Sequence, residues 1–220
     1  MSLRANAYEK VRGEVLRGRL ELGTRTSERE IAERVEMSRT PVREALAVLV
    51  ATGLLDQVPQ VGVAVRRIDA EQALRAVRLR AGMEPVMVDE LVSLDADLSE
   101  LRDGMDEMRG AYEGEDATAF MLADTRMHTA IARLAGFSTS VTGVQGLRDQ
   151  VHLFRRDHPL TREEMQAVLG EHDELMDATE SRDEDRAKRA ITAHLAATCE
   201  RIGAAQAGDP ARERELVLSH

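Results

Sequence analysis

Asp124 and His128 stand four apart in ADTRMHTAIARLAG, a separation that puts both side chains on one face of a helix. A carboxylate oxygen and an imidazole nitrogen placed that way can chelate a divalent cation. A second pair, Arg39 and Arg43, has the same spacing in MSRTPVREALAVLVATG. Two guanidiniums on one helical face suit the O6 and N7 edge of guanine in a major groove. Ser38 and Thr40 flank them with short hydroxyls near a helix N-terminus, where amide groups and the helix dipole favour phosphate oxygens. Plainer readings exist for both pairs: ordinary half-buried histidines, and arginines in solvated ion pairs with Glu33, Glu36 and Glu44.

Helical patterning surrounds both pairs. Ala7, Val11, Val15 and Leu16 give an apolar stripe over 6–17, closed by Gly18. Ser27 and Glu30 form a capping-box signature before Ile31 and Ala32, which predicts a short second helix to about Val35. Ser38 as N-cap, Pro41 in the first turn and Gly53 as the stop predict a third helix over 39–52. Two short helices so closely joined make a helix-turn-helix, whose second member enters the major groove. The alternation in Leu54, Leu55 and Val58, then Val61, Val63 and Val65 about Pro59–Gln60, predicts a hairpin, which makes the motif winged.

From Asp69 onward helices are expected at 70–94, 97–113, 116–135, 138–157, 161–180 and 183–206, with breaks at Asp95 to Asp97, Gly114, Gly136, Pro159 and Ser181 to Asp183. Gly82, Pro85, Gly104, Gly143 and Gly146 weaken the continuity of those spans, and the tail after Gly208 reads as a frayed, solvated end. The expected fold is mainly α: a winged helix-turn-helix over 1–68 and an all-α bundle of about six helices over 69–220.

Composition agrees with that architecture. Of 220 residues 43% are hydrophobic, 32% charged and only 2% aromatic, so the cores should be aliphatic and helical, and a β-sandwich or barrel is disfavoured. No apolar run approaches a membrane span and the first residues lack a signal peptide's apolar stretch, so a cytoplasmic location is expected. The single Cys199 reads as a packed thiol. A net charge of −10 argues against a nucleic-acid partner until it is divided along the chain. Residues 1–68 carry twelve basic against nine acidic side chains, and the acidic excess falls entirely in the remainder.

EREIAERVEMSRTPVREALAVLVATGLL followed by QVGVAV closely resembles the GntR family of bacterial regulators over roughly residues 7–66, and SRTPVREAL is its most specific stretch. In the fatty-acid-regulator branch, FadR-type, matching positions contact DNA. The resemblance therefore implies DNA contacts at Arg29, Ser38, Arg39, Thr40, Arg43 and the wing glycine Gly62, which would let the wing backbone approach the minor groove. Two positions depart from the pattern. Val61 stands where a basic or polar residue is frequent, which implies a weaker minor-groove grip, and Leu22 stands before Gly23 where proline is usual.

Residues 70–206 resemble, more loosely, the all-helical FCD ligand-binding domain of that branch, with Arg80 and Glu84 in RLRAGMEPVMV matching its opening signature. His172 in GEHDELMDA and His194 in TAHLAA resemble the third and fourth metal ligands of the metal-binding members, completing Asp124 and His128. One carboxylate and three imidazoles suit Zn²⁺ first, and also Ni²⁺, Mn²⁺ or Fe²⁺. His152 and His158 fall outside the pattern as non-ligands, although His152 could line the same cavity. Open positions on the ion would take a small organic acid as effector, a second carboxylate of which Arg80 and Arg148 could neutralise; Arg80 could equally pair with an acidic neighbour.

The resemblance implies a homodimeric, ligand-responsive repressor on a palindromic double-stranded operator, and not an enzyme. A metal-dependent hydrolase and a metal-free dimerisation module are the competing readings of the helical part.

Overall fold

The computed structural model describes residues 2–94 and 96–207, so the tail expected to fray after Gly208 lies outside the described residues. Among them are nine helices and one small three-stranded sheet. Helix α1 (Leu3–Leu16) buries Ala7, Val11, Val15 and Leu16, the stripe that its spacing predicts. A two-residue strand β1 (Arg25–Thr26) follows, then α2 (Glu28–Arg34), whose capping box between Ser27 and Glu30 is fully formed. Helix α3 (Arg39–Ala51) packs on α1 and α2 through Val42, Ala45, Leu46 and Leu49.

Strands β2 (Leu55–Val58) and β3 (Gly62–Val65) form the wing, and β1 adds to the other edge of β3, giving the antiparallel order β1-β3-β2. Sequence patterning does not anticipate β1, because two residues are too few to show an alternation.

The bundle consists of α4 (Ala70–Ser93), α5 (Ser99–Glu113), α6 (Ala117–Leu134), α7 (Val141–Asp157), α8 (Arg162–Glu180) and α9 (Glu184–Ala207). Helix α4 packs along α9 and α7, α5 along α6, and α8 along α9. Helix α4 runs unbroken, as the span 70–94 leads one to expect, through Gly82 and Pro85, the residues that weaken its continuity locally. Proline removes one intrahelical bond. The buried stripe Ala73, Val77, Arg80, Glu84, Met87, Val88 and Leu91 on both sides of it holds the helix to its neighbours, so tertiary packing outweighs the local preference. Helix α7 starts at Val141, three residues later than patterning indicates, because 138–140 form a turn.

Gly146 has a reason to lie inside α7. A Cβ there would meet the Thr52 side chain at 2.7 Å, so α7 crosses the end of α3 at backbone-close range. The N-terminal unit is seated on this helix. Arg12 of α1 makes a bidentate, buried pair with Asp149 (Nε to Oδ2 2.7 Å, Nη2 to Oδ1 2.6 Å), Gln150 Nε2 donates to Thr52 O (3.1 Å), and Arg156 Nη1 donates to Val15 O and Leu20 O (3.1 and 2.9 Å). Cys199 is half-buried against the core.

Candidate functional site

Two groups of side chains stand apart from the apolar packing, one on the N-terminal unit and one inside the bundle. On the N-terminal unit, Arg39 and Arg43 project from the first turns of α3 with side chains 62% and 67% exposed. Both converge on Glu28 at the start of α2. Arg43 Nε and Nη2 lie 2.7 and 3.0 Å from its carboxylate, and Arg39 Nε 3.1 Å. Their acidic partner is therefore Glu28 and not Glu33, Glu36 or Glu44. The hydrogen bond from Arg43, with Arg39 adding to it, holds the Glu28 carboxyl below the usual carboxylate range.

Ser38 occupies the N-cap of α3 but its hydroxyl makes no capping bond, so that oxygen and the first amides of the helix stay open to an incoming anion. Thr40 is exposed in the same turn, and Arg29 is exposed on α2 with Glu33 3.7 Å away. Gly62 has φ 142°, and a Cβ there would lie 2.5 Å from Thr26 O and 3.0 Å from Ser27 Cα. The glycine lets the turn end of β3 press against the start of α2; the exposed tip beside it is formed by Gln60 and Val61.

Inside the bundle, Asp124 and His128 of α6, His172 of α8 and His194 of α9 are all buried, with one ligand-type atom of each within 4.8 Å of the others. Asp124 Oδ1 lies 3.0 Å from His172 Nε2 and 3.4 Å from His128 Nε2, and the Nε2 atoms of His128 and His172 are 3.0 Å apart.

What these nitrogens carry follows from the other side of each ring. His128 Nδ1 faces Glu84 Oε2, His172 Nδ1 faces the Val168 carbonyl and His194 Nδ1 faces Glu171 Oε2, each at 2.8 Å. All three partners only accept, so each Nδ1 carries the proton and each Nε2 presents a lone pair inward. Burial and the neighbouring His128 push the His172 ring down to about 3, and burial, then His172, holds His194 well below its ordinary value. Burial also lowers His128 against the pull of Glu84. The imidazoles are neutral. Three lone pairs and the buried Asp124 Oδ1, which accepts no hydrogen bond, thus converge with no donor among them. Such a set repels itself unless a cation lies between its members, so these residues fit a divalent metal.

The surrounding charges also matter. Arg80 is bound to Glu84 (Nε to Oε1 2.6 Å, Nη2 to Oε2 3.3 Å), which matches the alternative reading of it as the partner of an acidic neighbour. Arg148 of α7 pairs with Asp124 Oδ2, while its Nε and Nη1 are buried without an acceptor. Burial works to raise the Glu84 carboxyl, but Arg80, His128 and Arg148 outweigh it and hold Glu84 well below the usual range.

Arg80, Arg148, Glu84 and Asp124 cancel in charge, so a divalent ion would leave the pocket with an excess of two positive charges. A cavity of about 30 Å³ adjoins the cluster, bounded by Asp124, His194, Arg80, Arg148, Arg155 and Arg201. A wider cleft of about 880 Å³ between α1 and the α5–α6 pair is walled by intermixed acidic and basic side chains, with no converging donor set.

Sequence reasoning missed Glu171, which orients His194 and is gripped by Arg201 (2.6 and 2.9 Å), and it missed Arg155 and Arg201 at the cavity. Arg201 stands seven residues after His194 on α9 and Arg155 seven after Arg148 on α7, a same-face spacing that could have pointed to both, whereas Glu171 sits next to His172 and carries no such signal. His152, set aside as a non-ligand, lies outside the cluster and is buried with Nδ1 unpartnered.

The FCD domain profile matches residues 75–197, and that of "Bacterial regulatory proteins, gntR family" matches residues 3–65. The chain belongs to the gntR family. This gntR regulator is 32% identical over 94% of its length, and 88% of the relative's, to an uncharacterized HTH-type transcriptional regulator of an unstable DNA locus in Streptomyces ambofaciens. It is 31% identical, over 84% of its length and 81% of the relative's, to a probable D-xylose utilization operon transcriptional repressor of Paenarthrobacter nicotinovorans.

Among solved structures, Escherichia coli McbR/YncC shares the fold of the regulator with a TM-score of 0.77 at 21% identity, over 92% of this chain and 97% of the other. Family membership makes the protein a DNA-binding transcription regulator with an FCD domain, not an enzyme. No helix among the described residues is long and apolar enough to cross a membrane.

Proposed function

We propose that this regulator is a cytoplasmic homodimeric repressor whose grip on a palindromic operator is set by a small organic acid, bound at a divalent ion held by Asp124, His128, His172 and His194. The observation that carries the reading is the inward convergence of three Nε2 lone pairs on an unsatisfied carboxylate oxygen. Bound there, the ion supplies Lewis-acid positions for a carboxylate; Zn²⁺ suits the donor set best, with Ni²⁺, Mn²⁺ and Fe²⁺ as the alternatives.

The chain's own residues set the effector's chemistry. Arg148 offers two buried nitrogens without a hydrogen-bond partner at the cavity, and the two positive charges that a bound ion would add suit a small carboxylate. On the N-terminal unit, taken as residues 1–68, Arg39 and Arg43 read base edges, Ser38, Thr40 and Arg29 hold phosphates, and the wing based on Gly62 reaches the minor groove.

Helix α7 links the two. Arg148 faces Asp124, and the next residue, Asp149, grips Arg12 of α1. A ligand that draws Arg148 toward itself shifts the seat of the DNA-binding unit, and a coupling of about 1–3 kcal/mol suffices for a measurable switch.

The test pairs metal analysis with calorimetry. Purified protein is expected to hold about one Zn²⁺ per chain, Asp124→Ala and His172→Ala to lose it, and small carboxylates to bind only the loaded form. Carboxylate binding indifferent to Zn²⁺, or full metal content in both variants, overturns the site.

A further inference from the structure

Helix α4 has a second face. Opposite the buried side that carries Arg80 and Glu84, it exposes Arg75, Leu79, Gly82, Val86 and Glu90, spaced four, three, four and four residues apart. At this spacing they form a single stripe along the helix. Leu79 is 60% exposed and Val86 54%, and they are among the largest exposed apolar side chains of the described residues. Between them lies Gly82, where an added Cβ would meet nothing within 4 Å. No packing inside the chain requires a glycine there, although glycine in a helix interior is destabilising.

We propose that this stripe is the contact between two copies of the chain, with the α4 helices packed antiparallel across a two-fold axis beside Gly82. The proposal rests on the dimeric reading above and names the surface that makes the dimer. The argument is one of self-complementarity. In an antiparallel pair centred between Gly82 and Met83, Leu79 faces the partner's Val86 and Arg75 faces the partner's Glu90, and the symmetry repeats each contact. A parallel pair would set Arg75 against its own copy and Glu90 likewise, so the order of charges selects one orientation. The bare Gly82 lets the two helix backbones approach at the crossing, since interaxial distance follows the side chains at the contact. Arg75 holds Glu71 at 2.5 Å on the exposed surface, a contact that leaves the stripe's apolar centre uncovered.

Sedimentation velocity on the full chain tests this, with circular dichroism to confirm that each variant stays folded; all the substituted positions are exposed. Wild type is expected to sediment as a dimer at micromolar concentration and Leu79→Asp as a monomer with unchanged helicity. Arg75→Glu is expected to weaken the dimer by roughly tenfold, because the axis counts each repulsion twice. The double variant Arg75→Glu/Glu90→Arg, which restores opposite charges in reversed order, is expected to recover most of the loss. A wild-type dimer left unchanged by Leu79→Asp, or a charge reversal that gives no recovery, overturns the α4 contact while the dimeric regulator stands. A wild type that is monomeric at every concentration overturns both.

Discussion

His152 shows how much a single buried side chain can impose. Burial, with Arg12 adding to it, pushes this ring down to about 3, despite a hydrogen bond to the Leu16 backbone. The folded protein therefore refuses a proton that the unfolded chain accepts below its ordinary value near 6.5. Stability is unaffected by His152 above that value and falls as the pH drops from there toward 3, by about 1.4 kcal/mol per pH unit. Chemical denaturation of metal-free protein at a series of pH values checks this: the slope below pH 6.5 is expected to be shallower by about one proton in His152→Gln than in wild type. The same physics acts on the neighbouring site, where burial keeps three imidazoles neutral and so fit to ligate.

Helices and strands obey local rules except where packing overrides them. The capping boxes at Ser27–Glu30, Asp69–Gln72 and Thr161–Glu164 start α2, α4 and α8. The wing is held differently, by the absence of a side chain at Gly62. Gly62→Ala would place a methyl 2.5 Å from the Thr26 carbonyl oxygen at φ 142°, so β3 must shift away from the start of α2. A loss of about 1–3 kcal/mol in thermal unfolding is expected, together with weaker operator binding in fluorescence anisotropy. Unchanged stability with weakened DNA binding would instead make the glycine a DNA contact alone.

Across the molecule, a buried ion pair between Arg12 and Asp149 ties α1 to α7. Removing a single partner strands a charge: Asp149 is fully buried, so Arg12→Ala is expected to cost about 3–5 kcal/mol in urea unfolding. Arg12→Met/Asp149→Leu, which replaces the pair by apolar side chains, is expected to restore most of that stability. Its operator affinity is expected to respond less to an added carboxylate than that of wild type. A double variant as stable and as responsive as wild type would move the coupling elsewhere.

Much of this protein is legible without coordinates because local signals suffice for it. Helix starts, the turn between α2 and α3, the hairpin and the Asp124–His128 face all follow from spacings of four residues or fewer, and SRTPVREAL marks the second helix of the helix-turn-helix directly. The mutual proximity of His128, His172 and His194, the inward aim of their Nε2 atoms and the roles of Glu171, Arg155 and Arg201 do not follow from any such spacing. They come from α6, α7, α8 and α9 packing together, which brings residues 44 positions apart to 3.0 Å and residues 22 positions apart to within 4.8 Å. The pairing of Arg12 with Asp149 spans 137 positions, and no periodicity along the chain reaches that far. Helix α4 gives the reverse case: Gly82 and Pro85 locally favour a break, and burial along its whole length keeps it continuous.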